Sequence, residues 1–237
     1  MVKNHLKRIA APKTWKIDRK ENTFITQPKP GAHNKDYSMP LSLALRELLK
    51  VAKSAKEAKQ IIKIKDVFVD KRKRVDERFP VGVMDIIEFP QLEEQFRLLL
   101  DAKGRLTAVK SGPKESGIKL SRIESKTKLA GGKTQLNMND GRNIIIVDKD
   151  PYKTGDTLQL ALPEQKIMDH FKLEKGASVM LIGGKHSGML AKIDEISGKK
   201  VIIKTAKNQK HETLRRHTFV IGKDKPALDC FKELSKQ

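Results

Sequence analysis

The spacing of apolar residues changes once along the chain, and that change limits what it can fold into. Leu41, Leu45, Leu48 and Ala52, then Ala55, Ala58, Ile61 and Ile62, recur at the spacing of a helix face. After this helical stretch the period shortens to two. Asn139-Asp140-Gly141 is a hairpin signal followed by Ile144-Ile145-Ile146-Val147, and Gly155-Asp156 leads into Thr157 to Leu162, which Pro163 ends. Further strands are expected near Ile167 to Leu173, around Val179, through Leu190, Ile193 and Ile196, and at Val201 to Ile203 and Phe219 to Ile221, with Ser197-Gly198 as a turn. The fold class expected is α+β and multi-domain. A basic extension (1–40) precedes a helix-pair module (41–104), a central β domain (105–172), a small β-barrel (173–222) and a tail (223–237).

Charge narrows the function. Lysine and arginine number 50 against 29 aspartate and glutamate, a net charge of +21 on 237 residues with a pI near 10.0. Self-repulsion of that size argues for an anionic partner. No long apolar run or hydrophobic signal segment points to a membrane, so the partner expected is nucleic acid. The single cysteine, Cys230, has no second cysteine for an internal disulfide, which fits a reducing compartment. The first 40 residues are polar and broken by prolines, and read as an extension whose Trp15 and Phe24 either cap a neighbouring module, the favoured reading, or insert against a partner.

The cations gather in one region. Ser54 stands where a helix N-cap belongs, Glu57 completes a capping box, and the helix runs to Lys63. Lys56, Lys59, Gln60 and Lys63 share its polar face, while Arg46, Lys50 and Lys53 lie opposite the apolar stripe of the preceding helix. A lysine stripe on one helix is commonly a solvated face. Two such faces beside the basic turn Asp70-Lys71-Arg72-Lys73-Arg74, which joins two strands, point to a surface for polyphosphate.

Other motifs do not carry chemistry. Gly131-Gly132-Lys133-Thr134 ends like a phosphate-binding loop, but Thr127 replaces the required first glycine and no buried strand precedes it, so a hairpin turn is expected. In Gly183-Gly184-Lys185-His186-Ser187-Gly188, Met189 follows the last glycine instead of lysine, and the glycines are expected to serve backbone conformation. Six histidines without ligand spacing and one cysteine suggest no metal site, and no nucleophile is paired with a base.

Ser54 to Glu88, with Val67-Phe68-Val69-Asp70 and Phe79-Pro80-Val81-Gly82-Val83-Met84-Asp85-Ile86-Ile87, resembles the S-four RNA-binding module, and Lys175 to Ile193 resembles a KOW motif of an SH3-like barrel. Their order, the opening His5-Leu6-Lys7-Arg8-Ile9-Ala10-Ala11-Pro12-Lys13-x-Trp15 and the closing Phe219-Val220-Ile221-Gly222-Lys223 are similar to the archaeal and eukaryotic S-four-e family of small-subunit ribosomal proteins. An end soon after Gly222 looks archaeal. The resemblance implies a cytoplasmic, non-catalytic protein without cofactor or small-molecule substrate, bound to small-subunit ribosomal RNA and to neighbouring ribosomal proteins. The basic faces and turns make Arg46, Lys50, Lys53, Lys56, Lys59, Lys63, Lys71, Arg72, Lys73 and Arg74, followed by Lys185 and His186, the expected phosphate contacts, with Gly82, Gly183, Gly184 and Gly188 expected as structural turn residues. A KOW-bearing transcription or translation factor, or an RNA-modifying enzyme with an S-four module, are the rival readings. One departure stands out: the family usually has glycine where this chain has Lys71, which costs roughly 1 kcal/mol if φ is positive there.

Overall fold

The computed structural model describes residues 5–147, 150–205 and 208–234. The chain divides into two compact units, residues 1–99 with 105–116, and residues 100–104 with 117–237. Strands dominate. Among the described residues, helix longer than a single turn is confined to 41–48, 55–64 and 230–234, so the α+β expectation gives helices more weight than they have.

The first unit is built on a sheet ordered Arg72–Lys73, Phe68–Val69, Ile86–Phe89, Glu94–Leu100 and Leu106–Lys110. Every residue of Ile86–Phe89 is buried, because both faces of this central strand are covered. The helix Ala55–Ile64 contributes Ala58, Ile61 and Ile62 to the interior. Ala55, expected on the same apolar side, is exposed.

Two sequence expectations fail in this unit. The first helix does not continue to Ala52: Leu41–Leu43 is α-helical, Ala44–Leu48 widens into a π turn, and Lys50 takes a left-handed φ of 54° that ends it. Lys53 therefore lies outside any helix, and Leu48 is only half-buried. Nor are residues 5–40 a loose extension. Leu6–Lys7 pairs with Phe24–Ile25, and Ser38–Pro40 pairs with Pro80–Gly82. The Trp15 ring is 2% exposed, its Nε1–H donating to the Ser38 carbonyl at 2.7 Å. Arg8 is equally buried and bridges Glu21 (3.0 Å) and Glu47 (3.2 Å) while donating to the Asp18 carbonyl. A polar segment is held here by one aromatic ring and one paired guanidinium, which hydrophobic periodicity cannot reveal. Phe24, by contrast, stays exposed edge-on to His5.

The second unit holds two five-stranded antiparallel sheets. One is ordered Asn143–Ile146, Thr134–Met138, Ile118–Lys128, Thr157–Ala161 and Lys166–Phe171, around a core of Ile123, Leu136, Met138, Leu158 and Leu160. One hairpin falls where Asn139-Asp140-Gly141 places it, and Gly155-Asp156 turns the chain into Thr157–Ala161 on the other side of Ile118–Lys128, with Gly141 and Gly155 at φ 74° and 91°. Within the Asn139-Asp140-Gly141 turn, buried Asp140 accepts from Ser121 (3.0 Å) and pairs with buried Lys119 (3.2 Å). The second sheet runs Lys210–Leu214, Lys200–Thr205, Leu190–Ser197, Ser178–Leu181 and Thr218–Gly222. Thr218–Gly222 packs against the first sheet. Residues 105–116 group with the first unit instead of the central β domain, since Leu106 N–H donates to the Thr14 carbonyl (2.7 Å) and Ser111 N–H to Gln95 (2.9 Å). Within residues 223–234, Leu228, Cys230, Phe231 and Leu234 are buried. No helix among the described residues is long and apolar enough to cross a membrane.

Candidate nucleic-acid interface

The helix Ala55–Ile64 begins at Ser54, whose hydroxyl accepts from the Glu57 amide at 3.1 Å, while the Glu57 carboxylate reaches back to the Lys53 amide at 2.7 Å. The box thus closes one residue earlier than the usual pairing with the N-cap amide, satisfying two donors of the opening turn. Lys56, Lys59 and Lys63 are all exposed on the face opposite the buried Ala58, Ile61 and Ile62. Lys59 contacts Glu77 at 3.2 Å, with both partners substantially solvated; Lys56 and Lys63 have no ion-pair partner among the described residues. Three ammonium groups are thereby offered to solvent along one rigid element. Lys50 and Lys53 are also exposed, whereas Arg46 pairs with Glu47 at 3.0 Å.

The neighbouring basic turn is different in kind. Asp70 and Lys71 have φ of 53° and 62°, the pair of left-handed residues that a two-residue hairpin between Phe68–Val69 and Arg72–Lys73 requires. The strain at Lys71 is offset within the protein: its Nζ donates to Glu88 Oε2 (3.0 Å) and Ser116 Oγ (2.9 Å). Asp70 Oδ1 accepts from the Ile86 amide at 3.1 Å, tying the turn to the central strand. Lys73 contacts Asp66 at 2.5 Å, and the Arg74 guanidinium lies 4.2 Å over the Phe79 ring. Arg72 is exposed.

In the second unit, Lys185 is exposed and His186 stacks on His211 with ring centroids 4.2 Å apart. Desolvation, followed by repulsion from His211 and Lys185, lowers the His186 pKa below its ordinary value. Gly184 and Gly188 have φ of 82° and 87°, and a Cβ on Gly188 would fall 1.7 Å from the Asp101 carbonyl oxygen. Gly82 serves another need, since a Cβ there would fall 2.5 Å from the His33 ring; Gly183 is buried. Lys133 sits at the end of the turn joining Ile118–Lys128 to Thr134–Met138, with Gly131 and Gly132 at positive φ. Among the described residues no group of three histidine, cysteine or acidic side chains is arranged to hold a metal.

Arg122, Lys199, Arg215 and Arg216, absent from the sequence-derived set, are brought together in the second unit. Only the adjacent arginines 215 and 216 gave any sequence signal; Arg122 arrives from the strand Ile118–Lys128 and Lys199 from the turn between Leu190–Ser197 and Lys200–Thr205.

The profile described as Ribosomal family S4e matches residues 92–167, and that of the RS4NT (NUC023) domain matches residues 2–36. The small ribosomal subunit protein eS4 of Methanocaldococcus jannaschii is 44% identical, covering 95% of this chain and 97% of the relative. That of Methanosphaera stadtmanae is 45% identical, with 95% of each chain covered. The crystal structure of the 30S ribosomal protein S4e from Thermoplasma acidophilum has 30% identity and a TM-score of 0.69, covering 79% of this chain and 96% of that one. The exposed lysine face is thus carried by a chain that belongs to the S4e family of small-subunit ribosomal proteins, which is not an enzyme family.

Proposed function

We propose that the chain is a non-catalytic structural constituent of the small ribosomal subunit in the cytoplasm, and that it holds ribosomal RNA chiefly through the lysine face of Ala55–Ile64. Family membership supports the assembly, and one observation carries the contact surface: Lys56, Lys59 and Lys63 all face solvent on a helix anchored by its other side. Each ammonium that meets a phosphate releases counterions, so binding weakens as salt rises, and the contacts position RNA without reading bases. Lys50, Lys53 and Arg72 extend this surface as exposed cations. Arg46, Lys73 and Arg74 reach phosphate by leaving their present partners, and Lys71 acts mainly by holding the turn. Lys185 and His186 form a second, smaller contact. Residues 41–104 then act as an S-four-type RNA-binding domain and 173–222 as a KOW-type SH3-like barrel. Neighbouring ribosomal proteins are further partners, and no cofactor is needed.

The test measures cofractionation with small ribosomal subunits through a high-salt wash, for the wild type and for Lys56→Gln/Lys59→Gln/Lys63→Gln. The wild type is expected to stay bound and the triple variant to wash off at lower salt. A wild-type protein that leaves the subunit and follows RNA polymerase would overturn the reading.

A further inference from the structure

A cleft of about 460 Å³ opens inside the second unit, between the 122–124 and 154–155 segments of one sheet and the 198–199 and 214–216 segments of the other. Its walls are fixed by hydrogen bonds. The Ile123 amide donates to the Asp156 carbonyl and the Gly155 amide to the Ile123 carbonyl, both at 2.8 Å, and the Arg215 amide donates to Lys199 at 2.9 Å. Arg122 is buried and donates to the carbonyls of Arg216 (2.5 Å) and Thr218 (3.1 Å), with Glu124 beside it. Arg122 therefore holds the two sheets together and neutralises the acidic residue in the lining. Arg215 Nη2 donates to the Thr154 carbonyl at 2.5 Å, laying its guanidinium along the 154–155 backbone. Gly155 allows this: a Cβ there would fall 3.1 Å from Arg215 Nε.

What remains available is specific in kind. Lys199 and Arg216 are exposed at the rim, Arg215 supplies a planar cationic face, and Leu214, 38% exposed, supplies apolar surface. The positive field is felt locally, since burial and then Arg216 and Arg122 depress the His217 pKa. Clefts of roughly 300–1,000 Å³ suit small ligands or single groups, and a duplex would not enter. Unpaired bases stack on guanidinium planes and apolar side chains, while their phosphates take lysine and arginine. An acidic peptide would use the cations but would leave the apolar wall uncovered.

We propose that this cleft receives a single unpaired nucleotide of RNA, its base against Arg215 and Leu214 and its flanking phosphates on Lys199 and Arg216. The inference rests on the RNA-binding reading above and adds a contact that recognises an unstacked base. The test uses the full chain and a short RNA hairpin with or without one bulged 2-aminopurine. The bulged hairpin is expected to bind about fivefold more tightly or better, with a change in 2-aminopurine fluorescence. Lys199→Gln with Arg216→Gln, both at exposed side chains that leave the fold intact, should abolish that preference, and Leu214→Trp should do so by filling the cleft. Lys56→Gln/Lys59→Gln/Lys63→Gln should weaken both hairpins alike and keep the preference. Equal binding of the two hairpins by the wild type, or a preference that survives the Lys199/Arg216 pair, overturns the cleft assignment while leaving the helix reading standing. So does displacement of the bulged hairpin by oligoglutamate as efficiently as by single-stranded RNA of the same charge, which would make the cleft a general anion site. Absence of binding to either hairpin overturns both readings.

Discussion

The helix Ala55–Ile64 carries three lysines and the turn at residues 70–74 four lysines and arginines, yet the structure uses those charges differently. On the helix, three ammonium groups stand on one face, and among the described residues Glu77 is the one ion-pair partner of any of them. In the turn, Lys71 is held by Glu88 and Ser116, Lys73 by Asp66, and Arg74 by the Phe79 ring. A hairpin inside a sheet brings side chains from neighbouring strands within reach of its own, whereas an outward helix face meets solvent. Counting charges therefore finds a basic region but does not separate cations that hold the protein together from cations left for a partner.

The comparison can be broken at its structural end first. Gly188 marks the upper limit of what a left-handed residue costs when no space surrounds it, because a Cβ there would overlap the Asp101 carbonyl. Gly188→Ala should destabilise the second unit by at least about 3 kcal/mol, read from thermal or urea melting. Gly184→Ala, whose Cβ would lie 3.2 Å from His217, should cost about 1 kcal/mol. Equal, small losses at both would show that close packing under this turn does not matter.

Lys71→Ala comes next. It removes the partner of a carboxylate whose side chain is 9% exposed, so a loss of about 1–3 kcal/mol in melting is expected, with the salt slope of RNA binding nearly unchanged. A fallen slope with unchanged stability would move Lys71 into the same class as the helix lysines.

The helix end of the comparison reverses the readouts. Lys56→Gln/Lys59→Gln/Lys63→Gln should lower the slope of log K against log salt by about 2 to 3, at roughly 0.7–0.9 per lost phosphate contact. Melting should move by less than about 0.5 kcal/mol, since glutamine is a good helix former and the buried face is untouched. Lys133→Ala, on the hairpin that imitates a phosphate loop, should change neither readout, and isothermal titration with ATP or GTP should show no binding to the wild type.

The smallest effect is that of pH. His217 has its pKa lowered from 6.5, by burial first and then by Arg216 and Arg122, so the unfolded chain takes up a proton before the folded one does. Stability of the second unit should be flat above about pH 7 and fall as pH drops through 6.5 toward the lower folded value. His217→Gln should flatten that fall. A melting temperature that rises on acidification over the same range would mean the local field has the opposite sign.

Residue pattern alone determined the capped helix with its lysine face, the hairpin at Asn139-Asp140-Gly141, the strands that follow, and the strongly cationic character of the chain. Each depends on neighbours three or four residues away, or on a turn that only a few residue types can make, so the information is local. Tertiary structure decided the rest. Trp15 and Arg8 make an apparently loose segment part of a core, because two carbonyl acceptors, of Asp18 and Ser38, and two carboxylates, of Glu21 and Glu47, arrive from residues 18 to 47. Lys71 occupies a left-handed position because Glu88 and Ser116 lie within reach of its ammonium. The cleft at Lys199, Arg215 and Arg216 exists because Arg122, nearly a hundred residues earlier, donates to two carbonyls beside them. These are contacts between groups far apart in sequence, and no short-range pattern records which acceptor a buried cation will find.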